Sequence, residues 1–117
     1  MDATTHIQEL LGKSYEGSDD LSACWEFCIE MGLLFGFSYP KHPVLGMQRC
    51  KESAVGKVVL FKFGDKWHSG IVWPDGLHFI HAKSTNRRGT KHVVKQERLT
   101  AWPWTTHIEG YYEPCQA

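Results

Sequence analysis

Three side chains in this sequence could do chemistry together: Cys24, His68 and His81. A thiol is a good nucleophile only as thiolate, and the positive end of a helix or a nearby imidazolium favours that form. Cys24 falls in about the first turn of an expected helix whose start is offered three N-cap residues, Asp19, Asp20 and Ser22. His68 would take the thiol proton as general base and return it, as general acid, to a leaving amine. His81 would hold His68 in the right tautomer and orientation, as the third member of a catalytic set does. Cys28, at i, i+4 from Cys24, adds a competing possibility: two Cys and two His can hold zinc. That would require Cys28 to share the corner at the helix start, so no metal is expected, and thiol–imidazole chemistry needs no cofactor.

The two histidines must come from a hairpin. Trp67–Trp73 and Leu77–Ala82 read as strands on either side of Pro74-Asp75-Gly76, a strong turn signal. A two-residue loop, Pro74-Asp75, pairs Trp73 with Gly76. A four-residue loop, Trp73 to Gly76, pairs Val72 with Leu77. Both registers set His68 directly opposite His81, with Cβ atoms about 4.5–5.5 Å apart. A three-residue loop would shift the register by one and separate them. Gly70 lies on the His68 face and would leave room for another chain or a substrate.

The thiol must come from the helix before that hairpin. Leu21, Cys24, Cys28, Met31 and Phe35 recur at three- and four-residue steps, which predicts a helix burying that face. A shorter helix is expected from Thr5, where Thr5-His6-Ile7-Gln8 reads as a capping box and Gly12 suits the stop. Residues 36–55 carry Pro40, Pro43, Gly36 and Gly46 and read as a long surface loop. Val58–Phe63 is a buried strand, with weaker strands near Lys91–Val94 and Ile108–Tyr112. Helices first and strands afterwards give an α+β fold, N-terminal helices packed on a C-terminal antiparallel sheet.

The whole chain, 1–117, is expected to form a single domain. Thirteen Lys and Arg balance thirteen Asp and Glu, which argues against a general nucleic-acid or membrane-surface binder. No apolar run approaches the roughly 20 residues of a membrane span. The first residues, Met1 to His6, lack the basic flank and apolar stretch of a secretory signal, so synthesis in the cytoplasm is expected. In such a reducing compartment Cys24, Cys28, Cys50 and Cys115 are expected as free thiols, Cys28 in the core. Seven acids fall in residues 1–30 (Asp2, Glu9, Glu16, Asp19, Asp20, Glu26 and Glu30), and bases concentrate between Lys83 and Arg98. Trp67, Trp73, Trp102 and Trp104 are expected mostly in the core, with one at a groove.

Four segments in order carry a family resemblance: Tyr15-Glu16-Gly17, Ala23-Cys24-Trp25-Glu26-Phe27, His68-Ser69-Gly70-Ile71-Val72 and Phe79-Ile80-His81-Ala82. Together they resemble the NlpC-like peptidoglycan endopeptidases. Leu10 to Tyr15 is similar to that family's lead-in, and Ile108 to Tyr112 to its last strand. Ala23, Glu26 and Gly56-Lys57 depart from its usual residues, and none of these changes removes a reacting group. The resemblance implies a papain-like fold and a cysteine peptidase or amidase with catalytic Cys24, His68 and His81. It implies a Tyr15 hydroxyl near the thiol that helps bind the oxyanion. The substrate it implies is the γ-D-glutamyl–diamino-acid amide, or a neighbouring amide, of the peptidoglycan stem peptide. By the same analogy the domain acts at the bacterial cell wall, delivered as a phage tail or virion component beside other tail proteins, or as an effector. The alternatives are a catalytically degenerate module with an assembly role, and an acyl-transfer or amidase relative.

Overall fold

The run Val58-Val59-Leu60-Phe61 is apolar at every position, so a strand built from it needs cover on both faces. The computed structural model, which describes residues 3–17, 22–42, 45–86, 88 and 90–114, supplies both covers. Val58 and Leu60 enter one buried cluster with Ile71, Ile80 and Ala82, joined by Ile7, Trp25, Phe27, Cys28 and Met31 from the helical part of the chain. Val59 and Phe61 enter a second cluster with Val72, Phe79, Leu99 and Trp104. Alternation along the strands sorts neighbouring residues between the two.

The elements in chain order are α1 (Ala3–Leu10), β1 (Ser14–Tyr15), α2 (Ala23–Leu34), β2 (Met47–Cys50), β3 (Val58–Phe63), β4 (Lys66–Val72), β5 (His78–Ser84), β6 (His92–Arg98), a 3-10 turn (Trp104–Thr106) and β7 (Ile108–Pro114). The strands form one sheet in the order β1-β6-β5-β4-β3-β7-β2. All of its ladders are antiparallel. The protein is thus α+β, with two α-helices and a seven-stranded antiparallel sheet among the described residues.

Two strands go beyond those expected, and one of them breaks the order of helices then strands. β1 lies between the helices and pairs with β6, Tyr15 opposite His92. β2 lies inside the segment 36–55, which reads as loop, and pairs with β7 at the sheet edge. Neither has a local signal: β1 is two residues long, and β2 exposes Gln48 and Arg49. They exist through partners distant in sequence, including the Arg49 Nη2 bond donated to the Glu109 carbonyl at 2.6 Å. α1 begins at Ala3, two residues before the expected Thr5, and Gly12 takes a left-handed φ of 82° after its end. Ser22 is the N-cap of α2. Asp19, Asp20, Leu21 and Cys115 lie outside the described residues.

The hairpin register differs from the expected one by two residues. Ile71 pairs with Ile80 and Val72 with Phe79, and the Trp73 N–H bonds the His78 carbonyl at 2.8 Å. The loop is therefore Pro74 to Leu77. Asp75 causes the shift: its Oδ1 accepts from the Leu77 N–H at 2.8 Å and the His78 N–H at 3.0 Å, which keeps Leu77 in the turn. A two-residue shift preserves faces, so the histidines still share one. Continued along the strands, this register sets His81 opposite Gly70 and His68 on the diagonal. The space beside Gly70 is not open to substrate. A Cβ there would sit 2.7 Å from Phe79 Cδ2, 3.1 Å from the Ile80 carbonyl and 3.4 Å from His81 Cβ. We expect Gly70→Ala to destabilise the fold by about 1–3 kcal/mol, seen as a lower denaturant midpoint; an unchanged midpoint would show that β4 and β5 separate freely.

Candidate active site

α2 begins with Ser22 in an extended conformation, and its carbonyl accepts the first helical bond from Glu26 N–H at 3.0 Å. The Ser22 hydroxyl caps no backbone group. It lies instead 3.7 Å from Cys24 Sγ. The first N–H groups of the helix, that of Cys24 included, are thus left without helical acceptors. Cys24, Trp25, Leu60, Trp67 and His68 line a cavity of about 330 Å³ at this helix start. The sequence-predicted thiol and base therefore share one cavity.

Burial by itself would raise the Cys24 thiol. The hydrogen bond and charge of the His68 ring oppose it, with Ser22 adding to them, and the thiol is lowered to about 6. Behind His68 runs a line of ring nitrogens. His68 Nε2 is 2.6 Å from His81 Nδ1, and His81 Nε2 is 2.5 Å from Glu97 Oε2. His81 has no exposed surface. Burial is the main force on it and disfavours its cation; the His68 and Lys83 charges act the same way, the Glu97 carboxylate opposes them, and the ring is pulled down to about 4. The bond from His81 holds the Glu97 carboxyl below its ordinary range, against burial. Trp104 covers both imidazoles, with ring centres 5.6 Å from His68 and 5.0 Å from His81.

The imidazoles thus rest against the second apolar cluster, through Phe61, Phe79 and Trp104. The thiol comes from the helix that contributes to the first cluster. Such a set can hold a thiolate beside an imidazolium, with helix N–H groups ready for a developing oxyanion. Glu97 did not emerge from the sequence. It lies among Lys95, Arg98 and other bases, and only the β5–β6 ladder, with Phe79 opposite Glu97, brings its carboxylate to His81.

Tyr15 is not brought to this cavity. Its ring packs edge-on against Phe27 at 5.2 Å, and burial followed by the adjacent Glu30 carboxylate pushes its hydroxyl upward. Its side of β1 lines a different depression, with Thr85 and Lys91. The reason is the β1–β6 pairing, which draws Tyr15 toward the middle of α2. The zinc candidates are not gathered either. Cys28 is turned fully into the core, where burial raises its thiol, and both His81 nitrogens are already bonded. Among the described residues no group of three or more His, Cys, Asp or Glu could hold a metal ion. Of the tryptophans, Trp25, Trp73 and Trp104 are buried, while Trp67 at the cavity and Trp102 are 51% and 79% exposed. Cys24, Cys28 and Cys50 are free thiols.

No family model matches this chain, and no curated protein matches it in sequence. Among solved structures it is similar to a protein described as similar to lipoprotein, of the NLP/P60 family, from Staphylococcus aureus subsp. aureus Mu50. The TM-score is 0.69 and the identity 16%, over 98% of this chain and 41% of that one. The likeness is one of fold, and this chain spans about two-fifths of that protein's length.

Two outcomes are expected. Iodoacetamide at pH 7 should label Cys24 far faster than Cys28, and the rate should fall as pH drops through about 6, where the thiolate is protonated. Peptide mass mapping across pH reads this, and preferential labelling of Cys28 would sink it. The second concerns His81, whose lowered value means the unfolded chain binds its proton first. Its contribution to stability is complete above about 6.5, declines as pH falls towards about 4, and is flat below. Denaturant unfolding between pH 4 and 7 should show this slope, reduced in His81→Asn. An equal slope in both proteins would refute it.

Proposed function

We propose that this chain is a papain-like cysteine peptidase or amidase that hydrolyses an amide bond of peptidoglycan stem peptides. The γ-D-glutamyl–diamino-acid amide is the bond put forward. The observation that carries the reading is Cys24, at the start of α2, sharing one cavity with His68, whose Nε2 is 2.6 Å from the buried imidazole of His81. The fold likeness to an NLP/P60 protein and the four sequence segments support the substrate class.

Cys24 transfers its proton to His68 and attacks the amide carbonyl as thiolate. The carbonyl oxygen becomes an oxyanion, received by the Cys24 backbone N–H at the start of α2. His68 then gives its proton to the departing amine, leaving an acyl-thioester on Cys24. Water, deprotonated by His68, attacks that thioester and releases the acid and the thiol. His81 touches no substrate in this scheme and acts as a positioning residue. Lys62 places its ammonium 5.2 Å from the ring centre of Trp67, at the cavity rim, where a stem-peptide carboxylate can be met by positive charge.

Digestion of purified peptidoglycan, with fragments identified by mass, tests the reading. Wild-type protein should release stem-peptide fragments with a new amino group. Cys24→Ala should lose this activity by more than about a thousandfold with its fold intact. Cys28→Ala should keep activity while losing roughly 1 kcal/mol of stability from a small cavity. Intact peptidoglycan after treatment with folded, thiol-reactive wild-type protein would reject the substrate and favour an acyl-transfer or assembly role.

A further inference from the structure

We infer that Glu97 is a positioning residue which, through His81, selects the His68 tautomer that leaves Nδ1 free to receive the Cys24 proton. The inference rests on the reading of Cys24 as nucleophile and His68 as its base. It adds a fourth member to the set and gives it a defined task.

The argument is one of donors and acceptors. An ionised carboxylate only accepts, so Glu97 Oε2, 2.5 Å from His81 Nε2, requires a proton on that nitrogen. A neutral imidazole has one N–H, so His81 Nδ1 carries a lone pair. His68 Nε2 is 2.6 Å from it and must be the donor. The only ring nitrogen of His68 left for the thiol is then Nδ1, unprotonated in the neutral ring and able to accept. Proton transfer gives Cys24 thiolate and a His68 imidazolium that donates from both nitrogens. The proton stops at His68; His81 stays neutral and Glu97 stays ionised. Without the carboxylate, His81 can carry its proton on Nδ1. His68 Nε2 then becomes the acceptor, and a neutral His68 turns an N–H toward the thiol. It cannot take the proton in that state.

The surroundings keep Glu97 an acceptor. Lys83 Nζ on β5 is 4.0 Å from Glu97 Oε1 and 5.9 Å from the centre of the Trp104 ring. The charged and titratable groups about the His68–His81 pair are Cys24 from α2, Lys83 from β5, and His92, Lys95 and Glu97 from β6. Among these β5 and β6 groups Glu97 is the one that can accept from a buried imidazole without ever donating while ionised. Burial makes the choice strict, because His81 has no water with which to satisfy an orphaned nitrogen.

Two readouts that need no substrate test this on the full chain. In wild-type protein, nitrogen-15 shifts should show His81 protonated at Nε2 and not at Nδ1. Glu97→Gln keeps the shape but offers an amide that can donate. It should slow iodoacetamide labelling of Cys24 at pH 7 by about tenfold or more, as the thiolate fraction falls toward that of an ordinary thiol. The midpoint of the rate–pH profile should move up, and Glu97→Asp should recover part of the loss. In stem-peptide hydrolysis, Glu97→Gln should lower kcat with KM nearly unchanged. A wild-type His81 protonated at Nδ1 overturns the inference, and so does a folded Glu97→Gln with the wild-type labelling profile. If Glu97→Gln does not fold, the wild-type His81 spectrum decides alone. Correct tautomers and labelling in a protein that leaves peptidoglycan intact would support this inference while rejecting the substrate reading.

Discussion

An imidazole with no exposed surface must find partners for both nitrogens inside the protein, and His81 is such a ring. One unsatisfied nitrogen would cost about 1–3 kcal/mol, a large part of the stability of a small domain. The requirement reaches across three strands: His68 on β4, His81 on β5 and Glu97 on β6 must align in one line. A slip of either ladder by one residue would break that line and exchange the side chains that face the two clusters. The same contacts therefore hold the register and orient the candidate base.

The sheet separates two jobs. On one face Phe27, Cys28 and Met31 anchor α2 in the cluster containing Val58, Ile71 and Ile80, which fixes where the helix begins and so where Cys24 lies. On the other face Phe61, Phe79 and Trp104 pack against the imidazoles, and His81 among them has no exposed surface. Glycine at position 70 lets β5 approach β4 closely at the level of His81. The two faces meet at the cavity, where a helix start, a thiol and a ring nitrogen converge.

Polarity is graded along this line. At the cavity end, the thiolate is favoured by His68 in spite of burial. In the middle, burial keeps His81 neutral. At the far end, Glu97 is partly exposed, held ionised by His81 and approached by Lys83. A neutral relay between two ionised ends has each hydrogen bond directed one way, which suits a ring that must stay oriented while a proton moves beside it.

The placement of Cys24, His68 and His81 on their elements was legible in the sequence. Cys24 at a helix start, the strand Val58–Phe63, and two histidines on one hairpin face follow from local periodicity and turn chemistry, which act over a few residues. The hairpin register was not, because it depended on one side chain: Asp75 bonds two backbone N–H groups and enlarges the loop. β1 and β2 were invisible because they are short, polar and stabilised by partners far along the chain. For the same reason the sequence could not displace Tyr15 from the site or bring Glu97 to it. Both positions are set by strand pairing with β6, and a ladder between distant segments leaves no periodic trace in either one. Residue types and local spacing determined which groups could react; tertiary pairing decided which of them meet, because hydrogen-bond geometry is satisfied in space and not along the chain.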